Sequence, residues 1–184
     1  MNFIARFFTL SLLPSLFASC DCSQLHLKSA EKEMSPYKLN DLLIFKSELG
    51  NLDSLKVSSI ENDFTNQDCN WSYSSTQNEY IRTTLNANIC RNHDCGVKIL
   101  IEKNRRNTRV EISVFRQPGI LKLNGSNTTS VTLSSGKKYD SVFTFKNYSR
   151  NDEMEAFFWD RTDGLIKYKT NKETFELVGR ANYR

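Results

Sequence analysis

The chain has few of the residues on which nucleophilic catalysis depends. Only two histidines, His26 and His93, occur among its 184 residues. Ser-His and Cys-His catalysis both require an imidazole beside the nucleophile, so the sequence offers few candidates for such a pair. A nucleophile elbow and a glycine-rich phosphate-binding loop are also missing from the sequence. We therefore expect no enzymatic activity and no cofactor, with a hydrolase that uses only carboxylates as the one class left open.

Long apolar runs and a strong charge of one sign are missing as well. No stretch between Cys22 and Arg184 approaches the roughly twenty apolar residues that span a bilayer as a helix. The formal net charge is +4, from 25 basic and 21 acidic residues. The basic pairs Arg105-Arg106 and Lys137-Lys138 fall at predicted turns, where we interpret them as solvated loop charge. Without a concentrated basic stripe, the sequence does not favour nucleic-acid binding.

The amino terminus has the layout of a secretory signal peptide. Arg6 is the only charged residue in residues 1–19, and an apolar run of about a dozen residues follows it, interrupted by Pro14. This run is too short to remain as a membrane-spanning helix, which needs roughly twenty residues. Residues 1–19 are therefore predicted to be a signal peptide that is cleaved.

Small residues stand directly before a cysteine at the end of this run. Ala18 and Ser19 precede Cys20, and the arrangement resembles a bacterial lipobox, with Phe17 where leucine is commonest. The resemblance implies that the Cys20 thiol carries a diacylglycerol and that the new amino terminus is acylated. Two or more acyl chains would make membrane attachment stable. The alternative is an ordinary signal peptide cut near Ala18, which leaves Cys20 free to join a disulfide.

The remaining chain of about 165 residues fits one domain. Residues 20–36 begin with the proposed lipid and are mostly polar, so we interpret them as a lipid-anchored leash. Residues 37–184 are interpreted as a single β-rich domain. The expected partners are the membrane, through the lipid, and another envelope protein.

The cysteine count agrees with export to an oxidising compartment. Acylation of Cys20 would leave four thiols, an even number. The preferred bridge joins Cys90 to Cys95 across four residues, and Cys22 with Cys69 is then left by subtraction.

A metal site is the alternative interpretation of the loop between Cys90 and Cys95. Thiolate and imidazole ligands suit zinc, and His93 lies between the two cysteines. No fourth ligand is obvious nearby, so the disulfide is preferred and no metal is expected.

From Tyr37 onward, short apolar segments alternate with polar turns, and no ten-residue stretch has a convincing helical period. This pattern predicts an all-β antiparallel meander that forms an open barrel or a sandwich. The predicted strands cover residues 41–47, 55–60, 79–85, 97–103, 108–115, 120–123, 131–134 and 141–146, with three more after Glu155.

Apolar matching predicts the register of one hairpin in the middle of the chain. A loop at residues 104–107 sets Ile101 against Val110 and Ile99 against Ile112 on one face. It also sets Val97 against Val114.

The same test predicts a three-stranded meander at the carboxyl terminus. A two-residue turn at Asn171-Lys172 sets Tyr168 against Phe175, and a turn at residues 161–164 sets Phe157 against Tyr168 and Trp159 against Ile166. The predicted inner face is aromatic, which indicates either a packed core or an exposed platform for stacking a ligand. Its residues are Phe157, Trp159, Ile166, Tyr168, Phe175 and Leu177.

Four stretches carry a resemblance to known proteins: residues 42–57, and, toward the carboxyl terminus, residues 136–142, 157–168 and 174–178. The first stretch is similar to the first hairpin of small lipoproteins of the Bacteroidota, and the other three are similar to the ending of those proteins. The resemblance covers about a fifth of the chain and implies a β-meander at the cell envelope, with the outer membrane favoured. Asp21 after the cysteine would indicate the inner membrane under the enterobacterial sorting rule, so both membranes stay open. Most of those lipoproteins are of unknown function.

Two functions stay open on the sequence alone. In the first, a membrane-anchored lipoprotein displays a β-rich domain that contacts another envelope protein or has a structural role. In the second, the sheet encloses a pocket for a lipid, a sugar or another small ligand. A filled interior behind Phe157, Trp159 and Tyr168 would favour the first, and an empty apolar cleft the second.

Overall fold

A computed structural model describes residues 22–69, 75–87, 96–121, 128–146 and 154–182. Of these residues 67% are in β-strands and 3% in one short helix, so the all-β prediction is confirmed. The elements are β1 (Ser23–Leu25), α1 (Ser29–Lys32), β2 (Asp41–Ser47), β3 (Leu52–Phe64), β4 (Thr76–Ala87), β5 (Gly96–Lys103), β6 (Thr108–Val114), β7 (Gln117–Leu121), β8 (Thr128–Thr132), β9 (Lys138–Lys146), β10 (Met154–Asp160), β11 (Gly164–Thr170) and β12 (Thr174–Asn182).

Eleven strands form one antiparallel sheet in the order β7-β6-β5-β4-β3-β2-β12-β11-β10-β9-β8. The chain runs outward from β2 to β7, resumes at the opposite edge with β8, and returns to pair β12 with β2. Over the described residues β7 and β8 are the two edges, so the meander is open. β1 lies off this path and pairs in parallel with the first residues of β4.

The predicted hairpin of β5 and β6 is confirmed in its register. Val97 pairs with Val114, Ile99 with Ile112, and Ile101 with Val110. All six side chains are fully buried, because alternate residues of a strand point to the same face. We call this side of the sheet the inner face.

The sheet curls so that its two halves share one core. Ring centroids of Phe115, in the turn after β6, and Tyr168, in β11, are 5.3 Å apart. Phe45 of β2 also contacts Tyr168, with centroids 5.3 Å apart. One hydrophobic cluster therefore includes side chains from β2 through β6 and from β9 through β11.

The carboxyl-terminal meander follows the prediction at one turn and departs from it at the other. Tyr168 pairs with Phe175 across the predicted two-residue turn, and Phe157 pairs with Tyr168. The register then shifts between Phe158 and Trp159, so that Trp159 pairs with Leu165 rather than with Ile166. A β-bulge of this kind moves the next side chain to the other face. The predicted inward position of Ile166 is therefore wrong.

Ile166 belongs to a second, smaller cluster outside the main core, with Leu133, Tyr139 and Val142. The hairpin of β8 and β9 supplies the other members. The turn of this hairpin is bound to β12, because Glu176 accepts a hydrogen bond from the backbone N–H of Ser134 at 2.6 Å. The predicted strand at residues 131–134 is displaced, since β8 ends at Thr132 and the next residues form this turn.

Most predicted strands are present with bounds that differ by a few residues, and β2 has the predicted bounds. β3 and β4 are longer than predicted because they continue pairing with each other as far as Phe64 and Glu79. Within the described residues, no helix is long and apolar enough to cross a bilayer.

Candidate functional site

Residues 22–40, which we call the strap, cross the inner face of the sheet. The sequence predicts a leash for most of this segment, but the structure corrects that prediction. β1 pairs with β4, and α1 follows. Leu27, Met34 and Tyr37 are each at most 8 % exposed and belong to the main core. The strap therefore fills the interior with its own apolar side chains.

The beginning of the strap is fixed by a disulfide and a hydrogen-bonded pair. Cys22 and Cys69 are at disulfide distance, with Cα atoms 5.8 Å apart, in agreement with the pairing expected by subtraction. The next residue, Ser23, has its hydroxyl 3.3 Å from that of Thr76 at the start of β4. Arg105, in the turn between β5 and β6, donates to the same Thr76 hydroxyl at 2.6 Å.

Glu79 is a buried carboxylate that holds the strap to β4. It accepts a hydrogen bond from the backbone N–H of Leu27 at 2.8 Å and another from the ammonium of Lys32 in α1. Burial works to raise the pKa of Glu79, but the hydrogen bonds from Lys32 and Leu27 outweigh it and lower the pKa. The carboxylate is therefore charged and paired, which favours the docked strap.

Glu31 in α1 makes the second polar attachment, to β5 and β6. Its carboxylate accepts a hydrogen bond from Lys103 at 2.7 Å and one from the Thr108 hydroxyl. Burial works to raise the pKa of Glu31, whereas the hydrogen bonds from Lys103, Thr108 and the Lys28 backbone lower it to about 2. The two carboxylates together attach the strap to three adjacent strands.

Tyr37 ends the buried part of the strap and reaches the far half of the sheet. Its hydroxyl accepts a hydrogen bond from the backbone N–H of Leu165 at 2.8 Å. Its ring meets Trp159 edge to face, with centroids 5.8 Å apart. Burial raises the pKa of Tyr37, so the phenol stays protonated at physiological pH. The guanidinium of Arg180 lies over the Tyr37 ring, 5.3 Å from its centroid, and binds Asp41.

A groove of about 730 Å³ lies beside the strap, between α1 and the turn after β10. Its floor is partly apolar, through Met34 and Tyr37, and its walls carry charges of both signs. It is an open surface feature and does not extend behind the buried aromatic side chains. The lining residues are Ala30, Glu31, Glu33, Met34, Ser35, Pro36, Tyr37, Lys38, Arg161 and Thr162.

The predicted aromatic face is mostly core. Phe157, Trp159 and Tyr168 are each at most 2 % exposed. Phe175 is half-buried and stacks on Tyr168, with ring centroids 4.9 Å apart. The Tyr168 hydroxyl donates to the buried Asp53 carboxylate. Three of the four side chains therefore present no face to an external ligand.

The other predicted site residues lie outside the described residues. These are Cys20, Cys90, Cys95 and His93. In the part of the chain that the structure does describe, no group of three or more His, Cys, Asp or Glu side chains is arranged to hold a metal ion.

Sequence reasoning missed Glu31, Glu79 and Tyr37. A signal for the strap was present, because Leu25 and Leu27 alternate with polar residues and Met34 and Tyr37 follow at a short interval. Such isolated apolar residues in a polar segment indicate packing against another surface rather than a free leash.

Comparison with known proteins gives no relative for this chain. No protein-family model, no curated protein and no solved structure matches it.

Proposed function

We propose that this chain is an exported lipoprotein of the cell envelope, tethered through Cys20, whose β-rich domain binds another envelope protein. The domain has an interaction or structural role in this proposal and does not act as a catalyst. The filled interior favours an interaction role over a carrier role. The space that a carrier would keep for its ligand is occupied by Leu27, Met34 and Tyr37 of the strap.

The Cys22–Cys69 pair supports the proposed export. Disulfides persist in oxidising environments such as the periplasm and the cell surface, and are rare in reducing cytoplasm. The resemblance to lipoproteins of the Bacteroidota supports the same location, with the outer membrane favoured.

The turn between β2 and β3 is our candidate for contact with the partner protein. Leu49 in this turn is 70 % exposed, and Leu52, the first residue of β3, is 64 % exposed, although both are large and apolar. The turn is held in place, because the amide of Asn51 donates to the Glu173 carboxylate at 2.8 and 2.9 Å. Exposed apolar side chains on an ordered turn suit contact with an apolar patch of another protein.

Metabolic labelling with a fatty acid tests the tether. Cells expressing the full chain should incorporate label into it, and Cys20→Ala should abolish incorporation. Cys22→Ser is the matched control, because it removes a nearby thiol that is already paired with Cys69. Label that survives Cys20→Ala would refute the lipid assignment.

Site-specific photo-crosslinking in intact cells tests the interaction. A photoreactive residue at Leu49 should give one discrete adduct, which Leu52→Ser should weaken. The same residue at Lys138, exposed in the separate hairpin of β8 and β9, is the control. Absence of a Leu49 adduct, or equal adducts at both positions, would count against this surface.

The groove beside the strap favours a second candidate function, the binding of a small lipid or sugar. Its volume of about 730 Å³ lies within the range of roughly 300–1,000 Å³ found for ligand pockets. Native mass spectrometry of protein purified from its envelope would show a bound ligand, and Met34→Arg should remove it. A ligand that is retained in Met34→Arg would lie elsewhere.

A further inference from the structure

We propose that the Arg105–Arg106 turn, between β5 and β6, docks on the phosphate headgroups of the bilayer that carries the lipid anchor. The inference rests on the proposed lipid at Cys20 and adds the surface that the domain turns toward the membrane. The Cys22–Cys69 pair determines how far the folded domain can move from the lipid.

Very little chain separates the proposed lipid from the fixed part of the domain. Cys22 is two residues after Cys20 and is bonded to Cys69, and β1 begins at the next residue. Two residues of fully extended chain span at most about 7 Å. The end of the sheet that contains Cys22 is therefore held at the headgroup layer.

The Arg105–Arg106 turn lies at that same end. Both segments contact the hydroxyl of Thr76. The hydroxyl of Ser23, the residue after Cys22, lies 3.3 Å from it, and the Arg105 guanidinium donates a hydrogen bond to it at 2.6 Å. Arg105 and Arg106 are both exposed. A guanidinium matches phosphate geometry and can bind it bidentately, so these side chains suit lipid headgroups.

Acidic side chains at this end weaken the attraction between the Arg105–Arg106 turn and the lipid phosphates. Asp63 and Asp68 lie near Cys69 and are exposed, although Asp63 also accepts a hydrogen bond from Gln67. The arginines therefore orient a domain that the lipid already holds, and do not provide the attachment themselves. Each basic residue near an anionic surface should shift the ratio of docked to undocked domain about five-fold.

The turn between β2 and β3, which contains Leu49 and Asn51, lies at the opposite end of the sheet. The strand β3 connects the two ends, because it begins at Leu52, directly after this turn, and ends at Phe64, just before the loop that contains Cys69. Thirteen residues at about 3.3 Å each give a length of up to roughly 40 Å. The Arg105–Arg106 turn and the turn between β2 and β3 are thus separated by the length of the sheet.

Fluorescence quenching on vesicles tests this orientation. The chain from residue 20 onward, with Cys20→Ser and a histidine tag in place of the signal, is bound to vesicles through a nickel-chelating lipid. A genetically encoded fluorescent residue replaces Asn107 in one sample and Asn51 in the other, and a spin label on lipid headgroups is the quencher. Phosphatidylglycerol vesicles are compared with phosphatidylcholine vesicles.

We expect stronger quenching at Asn107 than at Asn51, and stronger quenching at Asn107 on phosphatidylglycerol than on phosphatidylcholine. Arg105→Gln with Arg106→Gln should remove the dependence on phosphatidylglycerol, whereas Lys46→Gln with Lys172→Gln, the same charge change near Asn51, should preserve it. Equal quenching at the two positions, or an unchanged double-arginine variant, would overturn the proposal. Because the tether is supplied chemically, these outcomes do not depend on whether cells acylate Cys20.

Discussion

Gly164 and Tyr37 fit together only because Gly164 has no side chain. A Cβ atom built on Gly164 would lie 2.1 Å from the Tyr37 hydroxyl oxygen and 2.5 Å from the ring carbon that bears it. Gly164 also has a φ of +79°, which favours glycine. The turn between β10 and β11 and the end of the strap therefore depend on each other.

Gly164→Ala should lower the free energy of unfolding by about 3 kcal/mol, since it adds a clash with Tyr37 to the cost of a positive φ. Urea denaturation measures the change. Gly136→Ala is the matched control, because Gly136 has a φ of +85° and no atom lies within 4 Å of the place that a methyl group would take, so it should cost only about 1 kcal/mol. Equal losses for the two variants would contradict a tight fit at Tyr37.

The Cys22–Cys69 bridge should contribute about 4 kcal/mol to the free energy of unfolding, because it joins residues 47 apart in sequence. Cys22→Ser with Cys69→Ser should lose this amount in urea denaturation. The predicted Cys90–Cys95 bridge would close a much shorter loop, so Cys90→Ser with Cys95→Ser should lose only about 2 kcal/mol. A larger loss for the second pair would contradict this dependence on loop length.

The strap should be sensitive to acid through Glu31. The pKa of Glu31 is lowered from 4.5 to about 2 in the folded protein. Its contribution, up to about 3 kcal/mol, is therefore present above pH 4.5 and is lost as the pH falls toward 2. Glu31→Gln should remove this part of the pH dependence, measured by urea denaturation across that range.

Glu155→Gln is the control for this acid effect. Glu155 pairs with Lys169 at 2.7 Å, but its side chain is 45 % exposed. An exposed ion pair contributes at most about 1 kcal/mol, so this variant should keep nearly all of the acid sensitivity. If the two glutamine variants behave alike, Glu31 does not hold the strap.

The register of the sheet was predictable where the apolar pattern allows one answer only. In β5 and β6 each strand alternates, so a slip of one residue would expose every valine and isoleucine. At the start of β11 both Leu165 and Ile166 are apolar, and either could face the core. The shift between Phe158 and Trp159 selects Leu165, and the second cluster that receives Ile166 comes from a distant hairpin.

How the strap is attached was not predictable, for a similar reason. Its polar attachments come from residues far along the chain, since Glu79 is 52 residues from Leu27 and Lys103 is 72 residues from Glu31. A polar segment whose partners are distant has the composition of a leash, and only the folded sheet supplies those partners. The lipid-attachment prediction at Cys20 is independent of this correction.

Tyr168 and Asp53 form the last testable pair, at the end of the core away from the strap. Asp53 is 7 % exposed and accepts hydrogen bonds from the Tyr168 hydroxyl and, at 2.7 Å, from the backbone N–H of Ser54. Tyr168→Phe should therefore cost about 2 kcal/mol in urea denaturation, because a buried carboxylate loses a donor.

Tyr139→Phe supplies the comparison, since the Tyr139 hydroxyl also donates to a carboxylate, that of Asp163, at 2.7 Å. Asp163 keeps its bond from Lys137 and is nearer to solvent, so this loss should stay below about 1 kcal/mol. A double-mutant cycle with Asp53→Ala should show that Tyr168→Phe costs little once the carboxylate is gone. An undiminished cost in that background would place the role of Tyr168 in ring packing, against Phe45 and Phe175, instead of in its hydrogen bond.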